Sequence, residues 1–234
     1  MQISRIFGAA GAAVLGACAS IVGVGAPTAS AQQPCPDVEV IFARGTSEAP
    51  GVGGVGQAFV DAVRAQAAPR SVGVYAVNYP AGNNFDDRAV FAQTVIDGIR
   101  DAGNRVQTMS ESCPDTRLVL GGYSQGAVVS GFTTSDTVPS SVPTAIAPSP
   151  LAPDVAEHVA AVVLFGAPSG AFLSKYGAPA ITIGPLYADK TEELCAPGDG
   201  ICDGSAGGFP GVAHALYPVN GMTNEGAAFA VGRL

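Results

Sequence analysis

Arg117-Leu-Val-Leu-Gly-Gly-Tyr-Ser124-Gln-Gly-Ala-Val-Val129 decides the reading of this chain. Residues 117–120 form a short apolar run of strand type, and Ala127, Val128 and Val129 open an apolar helix. Between them lies Gly122-Tyr123-Ser124-Gln125-Gly126, the Gly-x-Ser-x-Gly pattern of a nucleophile elbow. The physics of that pattern is steric. A serine on a sharp strand-to-helix turn projects its hydroxyl, and the flanking glycines let backbone pack closely around the turn. Alone, the pattern is weak in a chain with 31 Gly. The strand before it, the helix after it and its single occurrence give it weight.

Working outward, strand and helix signals alternate. Residues 38–43, 72–77 and 159–165 read as further strands, and residues 180–183 as a fifth. A Gly-rich turn at 51–56 leads into a helix over 57–66, with Phe59, Val60 and Val63 on one face. Asn84 or Asp86 is a candidate cap for a helix in which Phe91, Val95, Ile99, Ala102 and Val106 recur at helical spacing. Thr223 or Asn224 is a candidate cap for a short final helix. Residues 133–153 carry Pro139, Pro143, Pro148, Pro150 and Pro153 and read as a Pro/Ser/Thr-rich surface loop inside the domain. The expected fold is a single α/β domain with a mostly parallel five-stranded sheet flanked by helices.

A serine hydroxyl needs a base, and the chain has 2 His. His158 begins the strand at 159–165, so it belongs at the amino end of the sheet. Reactive groups of such sheets gather beyond the carboxyl ends. His214 follows the last strand and comes after Ser124 in the order Ser, acid, His. The base is therefore read as His214. Among the intervening carboxylates, Asp199 sits in Cys195-Ala-Pro-Gly-Asp199-Gly-Ile-Cys202, a short loop that a disulfide would pin. A fixed carboxylate is what holding one imidazole tautomer requires. Asp203 is the runner-up.

The formal charge is −8 with no Lys/Arg stripe, which argues against a nucleic-acid partner. Arg5, the uncharged run over residues 6–26 and Ala29-Ser30-Ala31 read as an export signal over residues 1–31, leaving a domain at 32–234. The run is mostly Gly and Ala, so no stable membrane span is expected. Leu15-Gly16-Ala17-Cys18 resembles a lipoprotein cleavage box, which leaves lipidation of Cys18 and cell-envelope association open beside secretion. Of 5 Cys, losing Cys18 leaves Cys35, Cys113, Cys195 and Cys202. Four cysteines allow three pairings, and Cys35–Cys113 with Cys195–Cys202 is favoured. No Cys-x-x-Cys pair supports a zinc site, and no metal is expected.

Cys195 to Cys202 with its central Asp199, then His214-Ala-Leu-Tyr217, resembles the acid-loop and histidine signature of cutinases within the α/β-hydrolase superfamily. Arg44-Gly45-Thr46-Ser47-Glu48 and Gly-Tyr-Ser124-Gln-Gly match the same family, over roughly residues 35–233, with the actinobacterial cutinase-like enzymes most similar. The resemblance implies an oxyanion hole at Thr46 and Gln125, and no cofactor. It implies hydrolysis of short- to medium-chain esters, cutin-like polyesters or acylglycerols through an acyl-enzyme, with phospholipid or thioester cleavage and acyl transfer as alternatives. Relative to compact members, residues 133–153 are long and are expected to cover part of the crevice. Phe209, Val212 and Leu216 flank His214 and are candidates for an apolar substrate wall. An ester or lipid substrate is the expected partner, and the chain is expected to be a monomer. A base must be neutral to accept a proton, so activity is expected to rise through the pH range in which imidazoles lose their charge. A non-catalytic cell-surface binding protein on the same scaffold is the rival from another class.

Overall fold

The computed structural model describes residues 34–205 and 208–234. The export signal and Cys18 lie outside the described residues. Five parallel strands form one sheet in the order β2-β1-β3-β4-β5. They are β1 (Val38–Ala43), β2 (Val72–Ala76), β3 (Arg117–Tyr123), β4 (Val159–Phe165) and β5 (Thr191–Leu194). Between and after them run α1 (Gly53–Ala67), α2 (Arg88–Ser112), α3 (Gln125–Thr133), α4 (Gly170–Lys175), α5 (Pro185–Ala188), α6 (Val212–Ala215) and α7 (Met222–Val231).

Period-two alternation divides the strand residues between two cores. Ile41, Leu118 and Leu120 face Ile99, Ala102 and Val106 of α2 with Ala127 and Val129 of α3. Val40, Phe42 and Val119 face Val55, Phe59 and Val63 of α1 with Ala227 and Ala230 of α7. Helices thus cover both faces, which is why β4 reads as an unbroken apolar run and β1 is broken only by Glu39, buried and paired with Arg105.

The strand order makes a switch point. The chain leaves β1 through α1 on one face and leaves β3 through α3 on the other, so the loops after β1 and β3 diverge and open a crevice between them. Residues 44–47 follow β1 and Ser124 follows β3, which places both at that crevice.

Several expectations need correction. The fifth strand is Thr191–Leu194, not residues 180–183. Ile181 and Ile183 alternate as a strand would, yet they belong to no strand and pack against the core over α3. Gly131 makes room for them: a Cβ there would lie 2.5 Å from Ile181 Cγ2. β5 is an edge strand of Thr, Glu, Glu and Leu, so its composition gave little strand signal. α1 begins inside the Gly-rich stretch, because Glu48 reaches from outside the helix to accept the Gly54 amide at 2.7 Å. Asp87, not Asn84 or Asp86, caps α2 by accepting from Ala89 N and Val90 N. Gly221, at φ 93°, stands at the N-cap of α7 where Thr223 or Asn224 was expected. Residues 134–152 contain neither helix nor strand.

Candidate active site

Ser124 has φ 54° and ψ −115°, a left-handed conformation that a non-glycine residue adopts only when its surroundings enforce it. Two glycines supply that enforcement. A Cβ on Gly122 would lie 2.1 Å from Gly126 O, and one on Gly126 would lie 1.9 Å from Ala43 O. The elbow is then closed by Ser124 N donating to Phe165 O at 2.9 Å and by Ala127 N donating to Ser124 O at 2.9 Å.

His214 sits on α6, in the loop that follows β5. Its Nε2 is 2.9 Å from Ser124 Oγ, and its Nδ1 is 2.8 Å from Asp199 Oδ2. Tyr123, the residue before the serine, donates through its hydroxyl to His214 O at 2.6 Å. The elbow therefore positions the histidine backbone as well as facing its ring.

Asp199 is 0% exposed and His214 7%. A buried carboxylate must find donors, and Asp199 finds three. Ile201 N reaches Oδ1 at 3.1 Å, while Tyr217 OH at 2.7 Å and His214 Nδ1 share Oδ2. The loop carrying it is closed by the Cys195–Cys202 disulfide and internally turned by Cys202 N to Asp199 O at 3.1 Å. Tyr217 OH in turn accepts from Ala196 N at 3.0 Å. Burial first, and the Asp199 hydrogen bond after it, push the Tyr217 phenol well above its ordinary range, so it stays a proton donor. Gly166 completes the packing: a Cβ there would lie 3.1 Å from Asp199 Oδ2 and from His214 Cε1.

The third side of the site is the loop after β1. Arg44, buried, donates from Nη2 to Tyr79 O at 2.6 Å and from Nε to Glu48 O at 2.9 Å. Tyr79 OH returns a bond to Arg44 O. The Glu48 carboxylate accepts from Gly45 N at 2.6 Å and from Gly54 N at 2.7 Å, tying the loop to α1. Thr46 is thereby held beside Ser124, His214 and Gln125 at one crevice. Gln125 opens α3, so its backbone N–H precedes the first intrahelical bond and is available to a ligand. Its side chain is used elsewhere, with Nε2 donating to Gly82 O at 3.0 Å.

The structure thus brings together Ser124, His214, Asp199, Thr46 and Gln125. It does not bring Asp203 or His158 to them. Asp203 is exposed and accepts from Ser205 N at 2.8 Å, which holds its carboxyl below the usual range. His158 Nδ1 lies 3.1 Å from Pro114 O, before β4. Both favoured disulfides are present, which leaves Cys35, Cys113, Cys195 and Cys202 no thiolate for zinc. Phe209 lines the crevice and is 81% exposed. Val212 and Leu216, 77% and 42% exposed, lie outside the crevice lining. They sit two residues either side of His214 on a turn of helix, so they point away when the imidazole points in. Residue reading left Tyr217, Tyr123 and Glu48 without roles. The signal available was their place inside the motifs quoted for the family resemblance: Tyr217 closes the histidine motif, Tyr123 adjoins Ser124, and Glu48 ends the Arg44 motif.

Residues 34–234 match the family model described as Cutinase. The chain belongs to the cutinase family. It is 61% identical over 169 residues to the Mycobacterium tuberculosis protein named "Probable carboxylesterase Culp7", covering 72% of this chain and 88% of that one. It is 45% identical to the same organism's "Phospholipase Culp4", covering 89% and 83%. A solved cutinase of Trichoderma reesei in complex with a phosphonate inhibitor superposes with a TM-score of 0.62 at 32% identity, covering 85% of this chain and 77% of that one. This cutinase-family enzyme is accordingly a serine ester hydrolase with the fold the sequence led us to expect. Among the described residues no helix is long and apolar enough to cross a membrane.

Proposed function

We propose that this cutinase-family enzyme is exported after loss of residues 1–31 and cleaves carboxylic esters of lipid or polyester type, with Ser124 as nucleophile. The observation that carries the reading is the unbroken chain Ser124 Oγ, His214 Nε2, His214 Nδ1, Asp199 Oδ2, with links of 2.9 and 2.8 Å. Ser124 donates its proton to His214 Nε2 as Oγ attacks the ester carbonyl carbon. Asp199 accepts from Nδ1–H, which fixes the reactive tautomer and stabilises the imidazolium. The carbonyl oxygen takes the negative charge and is met by donors at Thr46 and by the Gln125 N–H; such preorganised donors supply several kcal/mol of a typical rate enhancement. The imidazolium then protonates the leaving alcohol. Water, deprotonated by His214, attacks the acyl-enzyme and releases the acid. Water apart, the steps use these side chains and the Gln125 N–H.

Among the polar substrates open to this site, phospholipids are favoured by one observation. Among the described residues, the Lys, Arg, Asp and Glu side chains lining the crevice are Arg88 and Lys175, both cationic, in a chain whose formal charge is −8. The "Phospholipase Culp4" relative agrees with that reading.

The test is hydrolysis of p-nitrophenyl butyrate by the mature protein beside Ser124→Ala. Loss of turnover to near the uncatalysed rate in the variant is expected. Equal turnover in both would sink the assignment of Ser124.

A further inference from the structure

The crevice is larger than attack on an ester carbonyl requires. Its volume is about 960 Å³, near the top of the range for small-molecule sites, about 300–1,000 Å³. It also has a direction. Ser124, Gln125, Val128 and Phe132 line it in succession along α3. At a 1.5 Å rise per residue, Phe132 stands about 12 Å beyond Ser124 along the helix.

α2 runs beside α3, in contact at Gly98, where a Cβ would lie 2.9 Å from Val129 Cγ2. Its residues Phe91, Val95, Ile96 and Ile99 recur at helical spacing and line the same space. The segment after α3 supplies the remaining wall through Val138, Val142 and Ile146. That segment is not loose packing. Arg100 Nη2 donates to Ile146 O at 2.6 Å, which ties the strap to α2, and Ile146 N donates to Pro143 O at 3.0 Å, which turns the strap on itself. No carboxylate lines the crevice among the described residues. An acetyl or butyryl group would leave most of these apolar walls wet, whereas each methylene that leaves water for them is worth up to about fourfold in binding.

We propose that this crevice is a long-chain acyl site. It takes acyl groups of about ten carbons or longer along α2 and α3, and the strap over residues 137–148 sets their length. The inference rests on the reading of Ser124 as nucleophile, because that residue fixes where the carbonyl sits. It departs from the short- to medium-chain substrates that the family resemblance implies.

The test measures kcat/KM for p-nitrophenyl butyrate, hexanoate, octanoate, decanoate and dodecanoate, each below its aggregation concentration. The wild-type value is expected to rise at every step, by up to about fourfold per methylene. Two strap variants, Val142→Trp and Ile146→Trp, fill the space from a loop that carries neither helix nor strand. In each, the dodecanoate-to-butyrate ratio is expected to fall about sixteenfold, the worth of two methylenes kept out. The ratio is indifferent to the fraction of protein that folds. A wild-type profile that peaks at butyrate or hexanoate and declines would overturn the proposal, as would ratios unmoved in both variants. Absence of turnover at every length would instead sink the reading of Ser124, which separates the two failures.

Discussion

Ser124 is held at φ 54° by backbone that approaches closely on both sides, and that close approach is where the site is most sensitive to single atoms. Gly126→Ala would place a methyl group 1.9 Å from Ala43 O, a backbone atom that cannot swing away. Loss of several kcal/mol of stability or failure to fold is expected, checked by urea titration. Tyr217→Phe asks a subtler question. It removes one of three donors to the buried Asp199 and leaves the ring in place. A hydrogen bond to a charged group is worth about 1.5–3 kcal/mol, so kcat is expected to fall by roughly tenfold to a hundredfold with KM little changed. An unaltered kcat would show that His214 and Ile201 suffice to hold the carboxylate. At this scale the sequence was legible where a residue's own chemistry is unusual. Ser124 between glycines, one well-placed histidine and an aspartate between two cysteines are such cases. Tyr217 was illegible as a hydrogen-bond donor because a tyrosine near a histidine is equally at home in a core, and here it is wholly buried in one.

Elements position these residues by ending at the right edge of the sheet. β1, β3 and β5 lead at their carboxyl ends into residues 44–47, Ser124 and the Cys195–Cys202 loop. The two disulfides act differently in that arrangement. Cys35–Cys113 spans 78 residues and joins the chain ahead of β1 to the end of α2, so loop closure assigns it ~4 kcal/mol. The pair Cys35→Ser and Cys113→Ser is expected to lose stability of that order in urea titration while folded protein keeps its kcat. Cys195–Cys202 closes only 7 residues but pins Asp199. Cys195→Ser with Cys202→Ser is expected to cost ~2–3 kcal/mol and to lower kcat by about tenfold or more through misplacement of the carboxylate. Equal effects of the two pairs on kcat would contradict this division. β5 itself shows why the fifth strand was misread. Pairing with β4 makes Thr191–Leu194 a strand, and that is a tertiary fact that no period in four residues records. Its Glu192 carboxyl is pushed above the ordinary range by burial and then by the nearby Glu225 carboxylate. A raised carboxyl in the folded state means stability falls as pH rises through the carboxylate range toward neutrality. Glu192→Gln is therefore expected to raise Tm at neutral pH, with the gain shrinking as pH drops below that range. A gain that grows in acid would reverse the sign.

At the scale of the whole molecule, the order β2-β1-β3-β4-β5 decides where chemistry can occur. Helices leaving β1 and β3 on opposite faces open the crevice, and the catalytic candidates reach it from three strand ends: Thr46 after β1, Ser124 and Gln125 after β3, Asp199 and His214 after β5. Alternating strand and helix patterns made the parallel sheet legible, because a chain buried on both faces must repeat apolar strands between amphipathic helices. The lining and size of the crevice were not legible. Residues 133–153 read as a Pro-rich surface loop expected to cover part of the crevice, but only packing shows that Val138, Val142 and Ile146 line it while Arg100 holds the strap.

The account's central claim, that Ser124 is the nucleophile activated by His214, is tested most directly by peptide mapping after labelling with an alkyl fluorophosphonate. The mature protein is expected to gain one adduct, on the peptide holding Ser124, with labelling slowed by orders of magnitude in His214→Ala. A label on any other residue, or an equal rate in the His214 variant, would contradict it.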